Sequence, residues 1–240
     1  MSGRFTGKKA LVTGGTRGIG KAIAEQLLHE DCTVVVTGTQ FAHGWWTNEP
    51  RCSLVVVDFA DASSIEVFSR NMRSEAFSHL VNNVGVFIAS EQNLPLESFN
   101  RLMQINVAAA HSVTSALSES LKSHPPARVV NIASIAAIVA RTGVAAYAAS
   151  KAALVGLTRV QALDLAPAGV LVNAICPSYT ESDMLASLHE TKRSELLANV
   201  PIGRFCRPQE VAELACFLLS SDNTYITGQS IVIDGGVISR

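Results

Sequence analysis

Short apolar, β-branched runs alternate with longer segments of helical character along the whole chain. The runs Ala10–Thr13, Thr33–Thr37, Leu54–Val57, Leu80–Asn82, Arg128–Ala133, Leu171–Ile175 and Ser230–Ile233 are predicted strands. Most are apolar without alternation, the pattern of parallel strands covered on both faces. Gly20–Glu30, Leu96–Ser123, Ala145–Ala166 and Pro208–Ser220 are predicted helices, the last opening on Pro208 with Gln209 and Glu210 in its first turn. This alternation predicts an α/β fold, a doubly wound parallel sheet of about seven strands flanked by helices. Gln40–Ser53, with Gly44, Trp45, Trp46 and Pro50, lacks helical periodicity where a crossover helix would normally lie, so a loop or single helical turn is expected. No repeat or linker divides the chain, and residues 1–240 are read as one domain.

Composition narrows the function. Hydrophobic residues make up 48% and charged residues 16% of the 240, a globular balance. The formal charge is −1, from 19 basic and 20 acidic residues, with no basic stripe for nucleic acid. A small molecule or a second copy of the chain is the expected partner. Five cysteines at irregular spacing without a CxxC argue against a disulfide framework and a metal site, and for free thiols in a reducing cytosol. The N-terminus does not read as a signal peptide, and the most apolar stretch, Ile132–Ala140, is too short to span a membrane. A soluble, cytoplasmic protein is expected.

The first predicted strand ends in Thr13-Gly14-Gly15-Thr16-Arg17-Gly18-Ile19-Gly20 and runs straight into a helix. Glycines at such a turn let the backbone approach a pyrophosphate, and the helix N-terminus offers unpaired N–H groups and partial positive charge. The second strand ends in Thr37-Gly38-Thr39 without the carboxylate that would bind a ribose 2′-hydroxyl. Arg17 can reach a 2′-phosphate there, with hydroxyls from Thr37 and Thr39 and close approach at Gly38, so NADP(H) is expected over NAD(H).

Tyr147 and Lys151 lie four apart in an Ala-rich helical stretch and share one face, and Ser134 follows a strand at the carboxyl edge of the sheet. With the glycine loop, Asp58, Asn82-Asn83-Val84-Gly85, Asn106 and the terminal Asp234-Gly235-Gly236, these residues resemble the short-chain dehydrogenase/reductase family over almost the whole chain. TGGTRGIGKAIAE and YAASKAALVGLTR are very similar to its 3-oxoacyl carrier-protein reductases, and related carbonyl reductases are similar too. The resemblance implies a Rossmann-type fold and hydride transfer between a nicotinamide and a carbonyl or secondary alcohol.

It also implies roles. Tyr147 would be general acid in reduction and base in oxidation, its pKa lowered by the Lys151 ammonium and the oxidised nicotinamide. Lys151 would bind the ribose hydroxyls, Ser134 the substrate oxygen, and Asn106 a water relaying protons from Lys151. Asp58 would accept from the adenine amino group with Phe59 beside it, and Asn82, Val84 and Gly85 would line the adenosine side. Pro177, Thr180 and Ser182 would hold the nicotinamide carboxamide. Val84 stands where the family has alanine, and Ser178 where it has glycine, so strain is expected at Ser178 if its φ is positive.

Residues 183–205 fall where the family places a substrate lid, in which Met184, Leu185, Leu188 and Leu196 face either substrate or core. Phe87, Ala136, Ile138, Val139, Arg141 and Tyr179 are pocket candidates; Arg141 is read as surface or as a site for an acidic substrate. Lys192, Arg193, Arg204 and Arg207 are a weak carrier-protein patch because Glu190 and Glu195 lie among them. Ketone or oxoacyl reduction leads. Oxidation of an alcohol in a biosynthetic route stays open, as does a dinucleotide-binding sensor without catalysis. Family members are commonly tetramers packed through long helices, here 96–123 and 145–166, so a homo-oligomer is expected.

Overall fold

The structure is a computed structural model describing residues 3–41, 43–88, 94–186 and 188–239, without the side chains of 183 and 184. Seven strands form one parallel sheet: β1 (Lys9–Val12), β2 (Thr33–Gly38), β3 (Cys52–Val56), β4 (His79–Asn82), β5 (Arg128–Ile132), β6 (Leu171–Pro177) and β7 (Ser230–Ile233). Their order is β3-β2-β1-β4-β5-β6-β7, so the winding reverses between β1 and β4. A crevice opens at that reversal beyond the carboxyl ends of the strands, the place where ligands bind in open α/β sheets.

The pleat sends alternate residues to opposite faces, and both faces are covered. Ala10, Val12, Val34, Val36, Val130 and Ile132 pack in one cluster with α1 (Gly18–His29) and α8 (Pro208–Leu219). Leu11, Val35, Leu80 and Val129 pack in another with α2 (Ala62–Met72), α4 (Ala109–Ser123) and α5 (Ala145–Leu165). Two buried faces explain why the strands read as unbroken apolar runs.

The predicted helix 96–123 is interrupted. α3 (Leu96–Met103) passes into one π turn, Gln104–Ala108, before α4 resumes. The 40–53 segment carries a single 3₁₀ turn, Trp45–Asn48, and β3 begins already at Cys52. Trp45 stands in for the missing helix by packing on the first cluster, with Trp46 edge-on at 5.9 Å. The lid region contains α6 (Asp183–Ala186) and α7 (Glu190–Leu197). Leu185, Leu188 and Leu196 cluster with Val200, Phe205 and Tyr179, so these three leucines build a small core within the 183–205 segment. Met184 lies outside the described side chains. Among the described residues no helix is long and apolar enough to cross a membrane.

His79 in β4 is buried, accepting at Nδ1 from Ser78 Oγ (2.8 Å) and donating from Nε2 to the Leu219 carbonyl (2.9 Å). Burial pushes this imidazole down to about 4 from 6.5. The unfolded chain therefore gains a proton as pH falls below 6.5 while the folded protein refuses it until near 4. The stabilisation is complete above pH 6.5 and declines towards pH 4, by about 3 kcal/mol in all. Urea unfolding at pH 7.5 and 4.5 should show this loss, and His79→Gln should show less of it; equal losses would refute the account.

Candidate active site

The glycine turn is shaped by close packing. Gly14 has φ +64°, and a Cβ there would lie 3.1 Å from Asn83 Nδ2; at Gly20 it would lie 2.4 Å from both Asn83 Nδ2 and the Gly14 carbonyl. Asn83 Nδ2 donates to the Thr13 (2.9 Å) and Gly14 (3.1 Å) carbonyls, and the buried Thr13 hydroxyl accepts from the Asn83 and Val84 N–H groups. β1 and β4 are thus stapled together where the winding reverses. The sequence offers Thr13 and Asn83 only as members of their motifs, beside Gly14 and Gly85, and assigns them no role of their own.

Above the turn, a Cβ on Gly18 would meet nothing within 4 Å, and α1 starts there without a side-chain cap from Arg17. Open space over a twelve-residue helix with uncapped N–H groups fits a dinucleotide pyrophosphate. Thr16, Arg17 and Ile19 flank it, Arg17 exposed and Ile19 packed on the first cluster. Thr16 presses on Gly38, where a Cβ would sit 2.8 Å from its methyl group.

Several anticipated contacts are committed elsewhere. The buried Thr37 hydroxyl accepts from the Gly14 N–H (2.9 Å), so it shapes the turn instead of facing a phosphate; Thr39 is exposed. Asn82 is buried, donating to Thr114 Oγ1 (3.0 Å) and Asn131 Oδ1 (2.8 Å), and its amide does not line an adenosine surface. The Phe59 ring is core, edge-on to Phe68 at 5.7 Å, which leaves only its backbone for a ligand. Asp58 is exposed and accepts from the Ala60 N–H (2.9 Å). Val84 leans on the second cluster.

Pro177, the last residue of β6, is buried; beyond it Thr180 bridges to Cys206, and the Ser182 hydroxyl accepts from the Leu185 N–H (3.2 Å) at the start of α6. The expected strain at Ser178 is absent. Asp31 is the only non-glycine residue with positive φ among the described residues, and Ser178 Oγ donates to the Asp234 carbonyl (3.2 Å).

Ser134, Tyr147 and Lys151 converge at the carboxyl ends of β5 and β6. Ser134 follows β5 and caps a 3₁₀ turn, accepting from the Ala136 N–H (3.1 Å), and its hydroxyl acts to lower the pKa of the Tyr147 phenol. Lys151, one turn below Tyr147 on α5, is buried with Nζ 5.9 Å from the tyrosine ring centre and donates to the Ile132 carbonyl (2.8 Å). Burial pulls Lys151 down to about 8. Burial also raises the Tyr147 phenol, opposed by the Ser134 hydrogen bond, so in the protein alone the expected lowering of Tyr147 does not arise. A Cβ on Gly85 would lie 3.1 Å from Lys151 Nζ; its absence leaves the ammonium open towards the crevice.

Asn106 sits in the π turn. Its Oδ1 accepts from the Val86 N–H (2.8 Å), and its Nδ2 donates to the Val86 carbonyl (3.0 Å) and Ser150 Oγ (2.9 Å). Both amide hydrogens are used, so no amide N–H remains for a relay water. The side chain clamps the segment that places Gly85 beside Lys151 and Phe87 edge-on to Tyr147, at 5.1 Å.

A family profile described as Enoyl-(Acyl carrier protein) reductase matches residues 14–238. The chain is 32% identical over 240 residues to a 3-oxoacyl-(acyl-carrier-protein) reductase FabG of Vibrio harveyi, covering 96% of this chain and 97% of the relative. It is 33% identical over 252 residues to the FabG of Aquifex aeolicus, covering 99% and 100%. A solved structure with bound NADP, described as an NAD(P)-dependent gluconate 5-dehydrogenase from Beutenbergia cavernae, superposes with a TM-score of 0.91 at 31% identity, covering 98% of each chain. The geometry and these likenesses agree: the chain belongs to the short-chain dehydrogenase/reductase family and is an NADP-type oxidoreductase that interconverts carbonyl and alcohol groups.

Proposed function

We propose that the protein reduces a ketone at the expense of NADPH, with Ser134, Tyr147 and Lys151 as its catalytic groups. The observation that carries this is their convergence: a phenol under the influence of a serine hydroxyl, 5.9 Å from a buried ammonium, at the carboxyl edge of the sheet. The reduced nicotinamide supplies the hydride when bound. Ser134 holds the carbonyl oxygen and Tyr147 gives it a proton, since charge develops there during transfer. Lys151, with a pKa of about 8, carries an ammonium charge at neutral pH that favours the phenolate left behind. Asn106 is a positioning residue through Val86.

Gly14, Thr16, Arg17, Gly18, Ile19 and Gly20 would hold the pyrophosphate end, Gly38 and Thr39 the ribose, and Asp58 the adenine. Gly85, Tyr147 and Lys151 would hold the nicotinamide ribose, with Pro177, Thr180 and Ser182 beyond it. Preference for NADPH rests on exposed Arg17 beside a β2 end without a carboxylate. Arg17→Ala should weaken NADPH binding by about tenfold and NADH binding much less, since only the former has a 2′-phosphate to pair. Fluorescence titration with both dinucleotides checks this, and an equal loss would overturn the preference. Ketone reduction with NADPH, followed at 340 nm over a substrate panel, tests the activity; activity with none of the ketones would refute it.

The relatives named for 3-oxoacyl reduction favour the reductive direction, while the gluconate dehydrogenase likeness supports alcohol oxidation as the second reading. A homo-oligomer, a tetramer built on the long helices, is supported by Val160 and Leu163 of α5, 55% and 75% exposed. Sedimentation equilibrium should give a mass near four chains; a monomer would refute it. A cytoplasmic setting is supported by five free thiols.

A further inference from the structure

The loop between Ser134 and α5 carries a cation that the mechanism above does not use. Arg141 is exposed, with its guanidinium carbon 5.1 Å from the ring centre of Tyr179 in the loop after β6. Tyr179 stands edge-on to Phe205 (6.3 Å) in the lid core, and Arg193 of α7 covers the Phe205 ring (5.7 Å). The two loops that leave the carboxyl ends of β5 and β6, the first holding Ser134, are therefore bridged by a cation on an aromatic ring.

A guanidinium stacked on a ring has its plane restrained while its N–H edges stay available, the arrangement that suits bidentate binding of a carboxylate. Arg4, Arg51, Arg204 and Arg207 are each paired with acidic side chains. Among the described residues, no acidic group pairs with Arg141. On the same loop Ile138 is 47% exposed, and Phe87 lies edge-on to Tyr147.

We propose that Arg141 receives the carboxylate of the substrate, so that the protein acts on a small oxo acid or hydroxy acid. The carbonyl or alcohol oxygen lies at Ser134 and Tyr147 and the carboxylate at the rim. This rests on the catalytic reading above and adds the charge of the substrate to it. Arg141 is a specificity-determining residue in this scheme, and the stack on Tyr179 is what fixes its orientation.

The test is calorimetric titration of the NADP⁺-saturated protein with 3-hydroxybutyrate and 3-hydroxyhexanoate, each against its methyl ester. The wild type should bind the acids at least about tenfold more tightly than the esters, the effect of charge-assisted hydrogen bonds on one oriented cation. In Arg141→Gln that ratio should fall close to one, and Arg141→Lys should keep part of it. Equal binding of acid and ester, no binding of either, or a preference that survives Arg141→Gln would each overturn the proposal. The underlying catalytic reading fails separately, if uncharged ketones are reduced as well by Tyr147→Phe as by the wild type.

Discussion

Tyr147→Phe should lower kcat for NADPH-dependent ketone reduction by about 10²–10⁴-fold, the range for loss of a positioned proton donor. The exchange deletes one oxygen and leaves the ring, so the edge-on contact with Phe87 and the fold of α5 persist. The loss should appear in kcat, with NADPH still bound, because the proton is needed only as the carbonyl takes charge. Single-turnover reduction under saturating NADPH measures it. A kcat within a few-fold of the wild type would mean that the proton comes from elsewhere, and the assignment of Ser134 and Lys151 would fall with it.

Asn106→Ala should cost both stability and rate. It strips the Val86 N–H and carbonyl of their partners and removes a donor to the buried Ser150. Unsatisfied polar groups of that kind cost about 2–4 kcal/mol together. For a chain of this size that lowers Tm by about 4–16 °C. kcat should also fall by about tenfold, because Gly85 and Phe87 are held against Lys151 and Tyr147 through the clamped segment. Calorimetry and steady-state kinetics on one preparation check both. A Tm drop with unchanged kcat would make Asn106 purely structural.

Much of the molecule was legible in its sequence for identifiable reasons. The strands announced themselves because two buried faces demand unbroken apolar runs, as Val34, Val35 and Val36 show by serving both clusters. The proximity of Tyr147 and Lys151, the proposed catalytic pair, was legible because four residues on a helix fix a common face. The glycine turn was legible because only residues without a Cβ tolerate the approach of Asn83 at Gly14 and Gly20.

Other features were hidden because they depend on what stands opposite in space. Thr37 and Asn82 have polar side chains suited to a ligand, yet one is held by the Gly14 N–H and the other by Thr114 and Asn131. Asn106 reads as a relay residue, and only the fold shows that its amide also spans Val86 and Ser150. Ser178 reads as strained until its φ proves not to be positive.

By itself, the sequence determined the α/β layering, the nucleotide turn and the chemical identity of the Ser134, Tyr147 and Lys151 set, since local periodicity and residue type carry those. Only the tertiary structure decided which polar groups remain free for a ligand, how burial tunes Lys151 and Tyr147, and that Arg141 is stacked on Tyr179. Hydrogen-bond partners, desolvation and ring stacking are all made between segments far apart in the chain, and no local pattern encodes them.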